Sequence, residues 1–256
     1  GSVLPGFKVE SEENIEILGE VESAEVRSRN GTVIVKQGII GRGEAVIFGK
    51  KGVNVGHAQN AKLITEGTLS VEKHCLHCDC TCARLEAARA GATIVGGHVR
   101  AYESVEVTTV GNDKGVTTKI SFVDKQRMAL EEKADELKDL LGKIEKELLP
   151  VKKQLTSKAA IMKKAGAAIT DRHKEDLKKW VDQYNTLKGK YEYVEKRLEG
   201  IREKLQGPRP TGGELKVAGD VFPGTELNFY GLTKLIKNRM TNKRFVCSEE
   251  GVEAEG

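Results

Sequence analysis

Residues 52–71 read Gly52-Val53-Asn54-Val55-Gly56-His57-Ala58-Gln59-Asn60-Ala61-Lys62-Leu63-Ile64-Thr65-Glu66-Gly67-Thr68-Leu69-Ser70-Val71. Within them Val53-Asn54-Val55 and Leu69-Ser70-Val71 alternate apolar and polar, and each follows a glycine. Such alternation fits a strand with one buried face. The pattern extends outward to Val33-Ile34-Val35 on one side and Val105-Glu106-Val107 on the other. Turn glycines recur at Gly31, Gly52, Gly67, Gly91 and Gly111, with gaps of 21, 15, 24 and 20. Strands returning at that period predict a stacked β-solenoid. Ala24, Ala45, Ala61 and Ala83 stand six to eight residues before the turn glycine of each coil, as a crowded corner requires.

Two rival β folds fail. A β-sandwich needs hairpin signals at regular spacing, and only Asn30-Gly31 qualifies. The hexapeptide left-handed helix, host of acyltransferases, needs an aliphatic at every sixth position. Val33, Ile39 and Ala45 begin that series and Lys51 ends it.

Composition narrows the class further. Of 256 residues 31% are charged and 38% hydrophobic, too apolar for a disordered chain and too charged for a membrane protein. With 28 Gly and only 5 Pro, collagen-like and Pro-rich readings are excluded. A net charge of +4 does not by itself demand nucleic acid. Gly1-Ser2 reads as a tag-cleavage scar, with native residues expected before it. The odd count of 5 cysteines, four of them crowded into residues 75–82, does not suit a secreted disulfide framework. A reducing cytoplasm is the expected compartment, with no membrane span.

From residue 124 to 206 the periodicity changes. Leu130, Ala134, Leu137, Leu141, Ile144, Leu148, Val151 and Leu155 step in fours and threes, a heptad seam that Met162 and Ile169 continue. Leu177, Val181, Tyr184, Leu187, Tyr191, Val194, Leu198, Ile201 and Leu205 form a second seam. Gly166–Thr170 interrupts them, with Thr170 or Asp171 as N-cap. Two arms of about 36 residues, each about 54 Å long, then run antiparallel as a coiled-coil hairpin, with a kink expected at Pro150. Strand signals return at Leu215-Lys216-Val217, Leu227-Asn228-Phe229 and Arg244-Phe245-Val246-Cys247. The expected organisation is a β-solenoid over 1–123, the hairpin over 124–206, and a closing β-segment over 207–256.

The run Gly91-Ala92-Thr93-Ile94-Val95-Gly96-Gly97-His98-Val99-Arg100-Ala101 resembles the double-glycine turn of the flagellar assembly protein A family. Val105-Glu106-Val107-Thr108-Thr109-Val110-Gly111 with Gly115-Val116-Thr117-Thr118, and Gly219-Asp220-Val221-Phe222-Pro223-Gly224-Thr225, are similar to later turns of that family. The order of solenoid, helical hairpin and closing segment agrees as well. The resemblance implies a cytoplasmic bacterial protein with a right-handed parallel β-helix. It implies links to flagellar assembly and polar protein placement, and no established catalytic residues. Members often carry an extra N-terminal domain, and many are known only as proteins of unknown function.

His74-Cys75-Leu76-His77-Cys78-Asp79-Cys80-Thr81-Cys82 has the ligand types of a zinc or iron-sulfur site. A closed site needs a distant second ligand pair, and Cys247 is single. In a strand Cys78, Cys80 and Cys82 share a face, about 6.6 Å apart. They are expected to fill the interior, with His77 and Asp79 facing water, where the family has apolar and small residues. Gly96-Gly97 reads as a corner, because no helix pattern or Walker lysine follows. His57, His98 and His173 have no catalytic partners nearby in sequence. Basic clusters at Lys163, Lys164, Arg172, Lys174, Lys178 and Lys179, and at Lys234, Lys237, Arg239, Lys243 and Arg244, read as solvated surfaces. Residues 124–206 hold 21 basic and 16 acidic residues, yet nucleic acid is not the expected ligand. No catalytic residue, cofactor or metal is assigned. The expected function is a non-enzymatic scaffold for protein partners, open to homo-oligomerisation, with the hairpin and the flank of Trp180 as contact surface. The competing classes are a solenoid polymer resembling bactofilins and a β-helix carbohydrate-active enzyme.

Overall fold

The computed structural model describes residues 1–165, 170–207, 212–248 and 251–256. The chain forms two compact units, one of Gly1–Asp124 with Arg209–Gly256 and one of Lys125–Pro208.

The first unit is a β-solenoid of about 6 turns. Its strands are β1 (Lys8–Ser11), β2 (Ile15–Ile17), β3 (Glu20–Glu22), β4 (Glu25–Ser28), β5 (Thr32–Gly49) and β6 (Gly52–Ile64). They continue as β7 (Thr68–Val71), β8 (His74–Ala87), β9 (Thr93–Val107), β10 (Thr109–Val110) and β11 (Thr118–Phe122). After the helices come β12 (Glu214–Val221), β13 (Thr225–Phe229), β14 (Leu232–Leu235), β15 (Met240–Cys247) and β16 (Val252–Glu255). Strands β1 to β13 pair with one another only in parallel, so equivalent residues of successive coils stack in columns.

Three inward columns define three faces. The first stacks Ile15, Val33, Val53, Leu69, Leu85, Val105 and Leu215. The second stacks Val21, Ile39, Ala58, Cys75, Ile94, Val110 and Val221. The third stacks Val9, Val26, Ile47, Leu63, Cys80, Val99, Ile120 and Leu227. Apart from Val9 these residues are buried and form one continuous core. Val33, Val35, Val55, Leu69, Val71 and Ile94 are all buried within it, as the alternation predicts.

The corner between the second and third faces explains several residue choices. Ser23, Asn60, His77 and Gly96 adopt positive φ there, at 38°, 48°, 51° and 69°. A small residue follows each: Ala24, Ala61 and Cys78, all buried, and the exposed Gly97. A left-handed residue turns the chain sharply, and the next side chain enters a narrow apex. Gly97 has no choice, because a Cβ there would lie 2.1 Å from the Cys78 carbonyl oxygen. Ala83 departs from the expected pattern. It sits at the corner between the third and first faces, where its amide donates to the Gly67 carbonyl, and Cys78 takes its place in the alanine column.

The second unit has two helices, α1 (Lys125–Ala165, 41 residues) and α2 (Asp171–Leu205, 35 residues). Glu145 bonds Tyr191 and Lys158 bonds Asp176, so the helices run antiparallel. Ala134, Leu137 and Ile144 pack on Val194, Leu198 and Ile201, all from the heptad seams. Thr170 is the N-cap of α2, and His173 Nδ1 accepts from its backbone amide at 3.4 Å. Residues 166–169, including the seam position Ile169, lie outside the described residues. Helix α1 is continuous through Pro150, which is exposed.

Candidate functional site

Strand β8 carries the cysteine run. Cys75, Cys78, Cys80 and Cys82 are all buried in the solenoid interior, while His77 is exposed and Asp79 half-buried. Cys75 and Cys80 enter from adjacent faces, and their sulfurs lie 3.8 Å apart. Cys78 Sγ donates to the Leu76 carbonyl at 3.3 Å. Burial pushes the Cys82 thiol up to about 12. The hydrogen bond to Cys75, with burial second, raises Cys78 as well. A buried thiol with a raised pKa carries little of the thiolate that is the reactive nucleophile. Among the described residues no group of three or more His, Cys, Asp or Glu is placed to hold a metal ion.

The histidines occupy gaps above glycines. The His57 ring fills the space over Gly38, where a Cβ would meet it at 2.2 Å, and His77 does the same over Gly96 at 2.4 Å. His57 and His74 stack with ring centroids 5.0 Å apart. His173 belongs to the α2 cap. His98 has partners that its sequence neighbourhood did not reveal. On the outer surface of the third face, His98 Nε2 and Ser121 Oγ share a 2.7 Å hydrogen bond, and Arg100 donates to Asp79 at 2.5 Å. Burial lowers the His98 pKa, with Arg100 adding to the effect. These two bonds cross diagonally between coils. They join β8 to β9 and β9 to β11, and fasten the sheet from outside.

Carboxylates are used the same way. Glu12 pairs with Arg29, Glu16 with Lys36, Glu72 with Arg89, Glu103 with Arg84 and Glu226 with Lys119, each across one coil. Where neighbours move a carboxyl pKa it goes down: a Lys8 hydrogen bond lowers Glu10 and an Arg239 hydrogen bond lowers Asp220. A general acid needs the opposite shift.

A family model described as the Flagellar Assembly Protein A beta solenoid domain matches residues 1–252. The chain belongs to this family. No curated protein and no solved structure matches it.

In this member of the flagellar assembly protein A family the basic clusters divide. Arg239 and Arg244 are struts of the closing segment, bonding Asp220, and Glu214 with Glu255. Lys234 donates to the Val252 carbonyl at 2.8 Å. By contrast Lys163, Arg172, Lys178 and Lys179 are exposed on the last turns of α1 and the first of α2; the side chain of Lys164 lies outside the described residues. Between these ends and the packed part of the pair lies a groove lined by Pro150, Val151, Gln154, Trp180, Gln183 and Leu187. Trp180 is half-buried there, with the Lys158 ammonium 5.9 Å from its ring centroid. Seam residues beyond Val151 and Leu187, namely Leu155, Leu177, Val181 and Tyr184, are only half-buried. Among the described residues no helix is long and apolar enough to cross a membrane.

Proposed function

We propose that the chain is a non-enzymatic scaffold of flagellar assembly, working in the cytoplasm, and that its helical hairpin takes a protein partner. One observation carries the reading. Leu215 of β12 pairs with Val105 of β9 in the register that an uninterrupted coil has, so the insertion adds no rung to the solenoid. The helices have their own apolar core, distinct from that of the solenoid. Their length therefore serves something other than the β-core. The groove beside Trp180, with apolar seam residues left half-covered and a basic end nearby, has the aromatic and cationic character of a protein interface. The family match to a flagellar assembly domain supplies the process. Neutralised carboxylates and protonated thiols support the absence of turnover. The same reading keeps a right-handed coil, the hand parallel crossovers nearly always take, and a supercoiled helix pair, as the heptad seams direct.

The test compares the whole chain with a variant in which residues 125–208 are replaced by a short Gly-Ser linker. Both are used to capture partners from a lysate of a flagellated host and to restore swimming in a strain lacking the protein. The expected result is that the linker variant loses both the partner and motility. The same partners with each version, or full motility with the linker, refutes the hairpin's role.

A further inference from the structure

The two halves of the hairpin differ in charge and in cover. Residues 150–190, nearest the turn between α1 and α2, hold 11 Lys and Arg against 4 Asp and Glu. The rest, 125–149 with 191–208, holds 10 against 11. The seam is buried in that balanced half, at Ala134, Leu137, Ile144, Val194, Leu198 and Ile201. In the basic half Leu155, Leu177, Val181 and Tyr184 are only half-buried. The groove beside Trp180 lies where the two halves meet, with a volume of about 810 Å³ and the buried Val151 and Leu187 at its floor. Its two rims are unlike. On α2, Arg172, Lys179, Gln183 and Lys190 recur at i, i+7, i+11 and i+18, one stripe of a helix. Among the described residues the three cations of that stripe have no ion-pair partner, and Asp176, three residues before Lys179, is held by Lys158. On α1 the rim residues Pro150 and Gln154 are uncharged, and Ile161 of the same stripe is 63% exposed. Glu147, toward the packed end, is the one carboxylate among the described lining residues.

We propose that the occupant of this groove is an acidic amphipathic helix of a partner protein, docking as the third helix of a bundle. The proposal rests on the reading that the hairpin takes a protein partner, and it names the chemistry of that partner. A furrow between two antiparallel helices, with seam residues half covered, is the seat a third helix takes. The partner's apolar face meets Trp180, Val151 and Leu187. Its carboxylates meet the unpaired cations of the α2 rim. Lys179 and Lys190 stand 11 positions apart, about 16 Å along α2, so the docked helix runs at least three turns. The uncharged α1 rim with exposed Ile161 asks for an apolar or neutral edge on the other side. Two other anionic surfaces fit less well. A phosphate backbone satisfies the cations but leaves Ile161 and Trp180 uncovered. A bilayer takes a convex apolar face, whereas the floor of this groove is recessed.

Trp180 is the only tryptophan of the chain, so its fluorescence reports on the groove directly. The whole chain is titrated with a helical peptide of about 18 residues carrying Leu at i, i+3, i+4 and i+7 and Glu along one flank. A second peptide has Lys in place of each Glu, and a third scrambles the first. The expected result is a blue shift of Trp180 emission with the Glu peptide at about 10 μM, binding about tenfold weaker with the Lys peptide, and none with the scramble. Lys179→Glu together with Lys190→Glu should reverse the preference, so that the Lys peptide binds the tighter; a merely structural effect of the changes does not do that. A duplex oligonucleotide and phosphatidylserine vesicles are titrated alongside. No shift with the Glu peptide, equal binding of the scramble, or a preference unmoved by the double variant overturns the proposal. So does a larger Trp180 response to the oligonucleotide or the vesicles than to the peptide. Such a failure leaves the hairpin's role in motility intact, because the linker exchange tests that role separately.

Discussion

Val105 and Leu215 are register partners on the first face of the solenoid although 110 positions separate them. Elsewhere the same corner is turned in two residues, Lys50 and Lys51 between β5 and β6. The chain leaves this corner after Phe122 and returns to it at Glu214, having formed two helices in between. An antiparallel pair brings its own ends together, so the insertion costs little loop-closure entropy.

Replacing residues 125–208 with a linker of about six residues should therefore leave the solenoid folded, with a melting temperature within about 5 °C of the parent. Circular dichroism should show the loss of helix and a retained cooperative β transition. Loss of that transition would mean that the helices support the core.

Gly97→Ala forces a left-handed residue and drives a Cβ to 2.1 Å from the Cys78 carbonyl. Gly115 also has positive φ, but nothing lies within 4 Å of its Cβ position. Denaturant titration should find about 3 kcal/mol lost at Gly97→Ala and about 1 kcal/mol at Gly115→Ala. Equal losses would remove the steric account of the corner.

The buried thiols should resist modification. With the Cys82 pKa pushed up to about 12, roughly one molecule in ten thousand carries its thiolate at about pH 8. A chromogenic disulfide reagent should label Cys247, which is half-buried, long before Cys75, Cys78, Cys80 or Cys82. The four should react together on unfolding. Rapid labelling of all five in the native protein would show that the interior is open to solvent.

Stability should fall on mild acidification. The folded pKa of His98 lies below its ordinary 6.5, first because of burial. His74 is lowered too, by burial and then by His57. An imidazole whose folded pKa is depressed leaves the unfolded chain with more bound protons, so its share of stability is complete above the unfolded value. That share is lost as pH falls toward the folded one. Melting temperature should therefore drop between about pH 7.5 and about pH 5.5. His98→Gln should flatten the slope in part, with His74 accounting for the rest. An unchanged slope in the variant would exclude His98 as a contributor.

Some of this is legible in the sequence alone. The 3.5-residue seam from Leu130 to Leu155 and the alternation around Val33, Val53 and Leu69 are local, since each follows from the repeat of its own element. They determined which faces are apolar, hence two helices inserted in a stack of strands. The glycines marked many corners, but with uneven gaps. The steadier signal is Ser23, Arg42, Asn60, His77 and Gly96, left-handed residues 17 to 19 positions apart. It is not legible in the sequence because Arg and His carry no turn signature of their own. For the same reason Ala83 is not distinguishable in sequence from the alanines of a different corner, nor the small interior side chain of Cys78 from a ligand.

Which coil lies beside which was decided by the tertiary structure alone. The pairing of His98 with Ser121 spans 23 positions, and that of Arg100 with Asp79 spans 21. Coil lengths vary, so one extra corner residue changes every outward neighbour while the inward pattern stays the same. The antiparallel closure by β14 and β15 is likewise absent from the alternation, because a strand's periodicity carries no direction. Burial is written locally in a chain of this kind; adjacency between coils is not, and the contacts that fasten its surface and seal one end depend on adjacency.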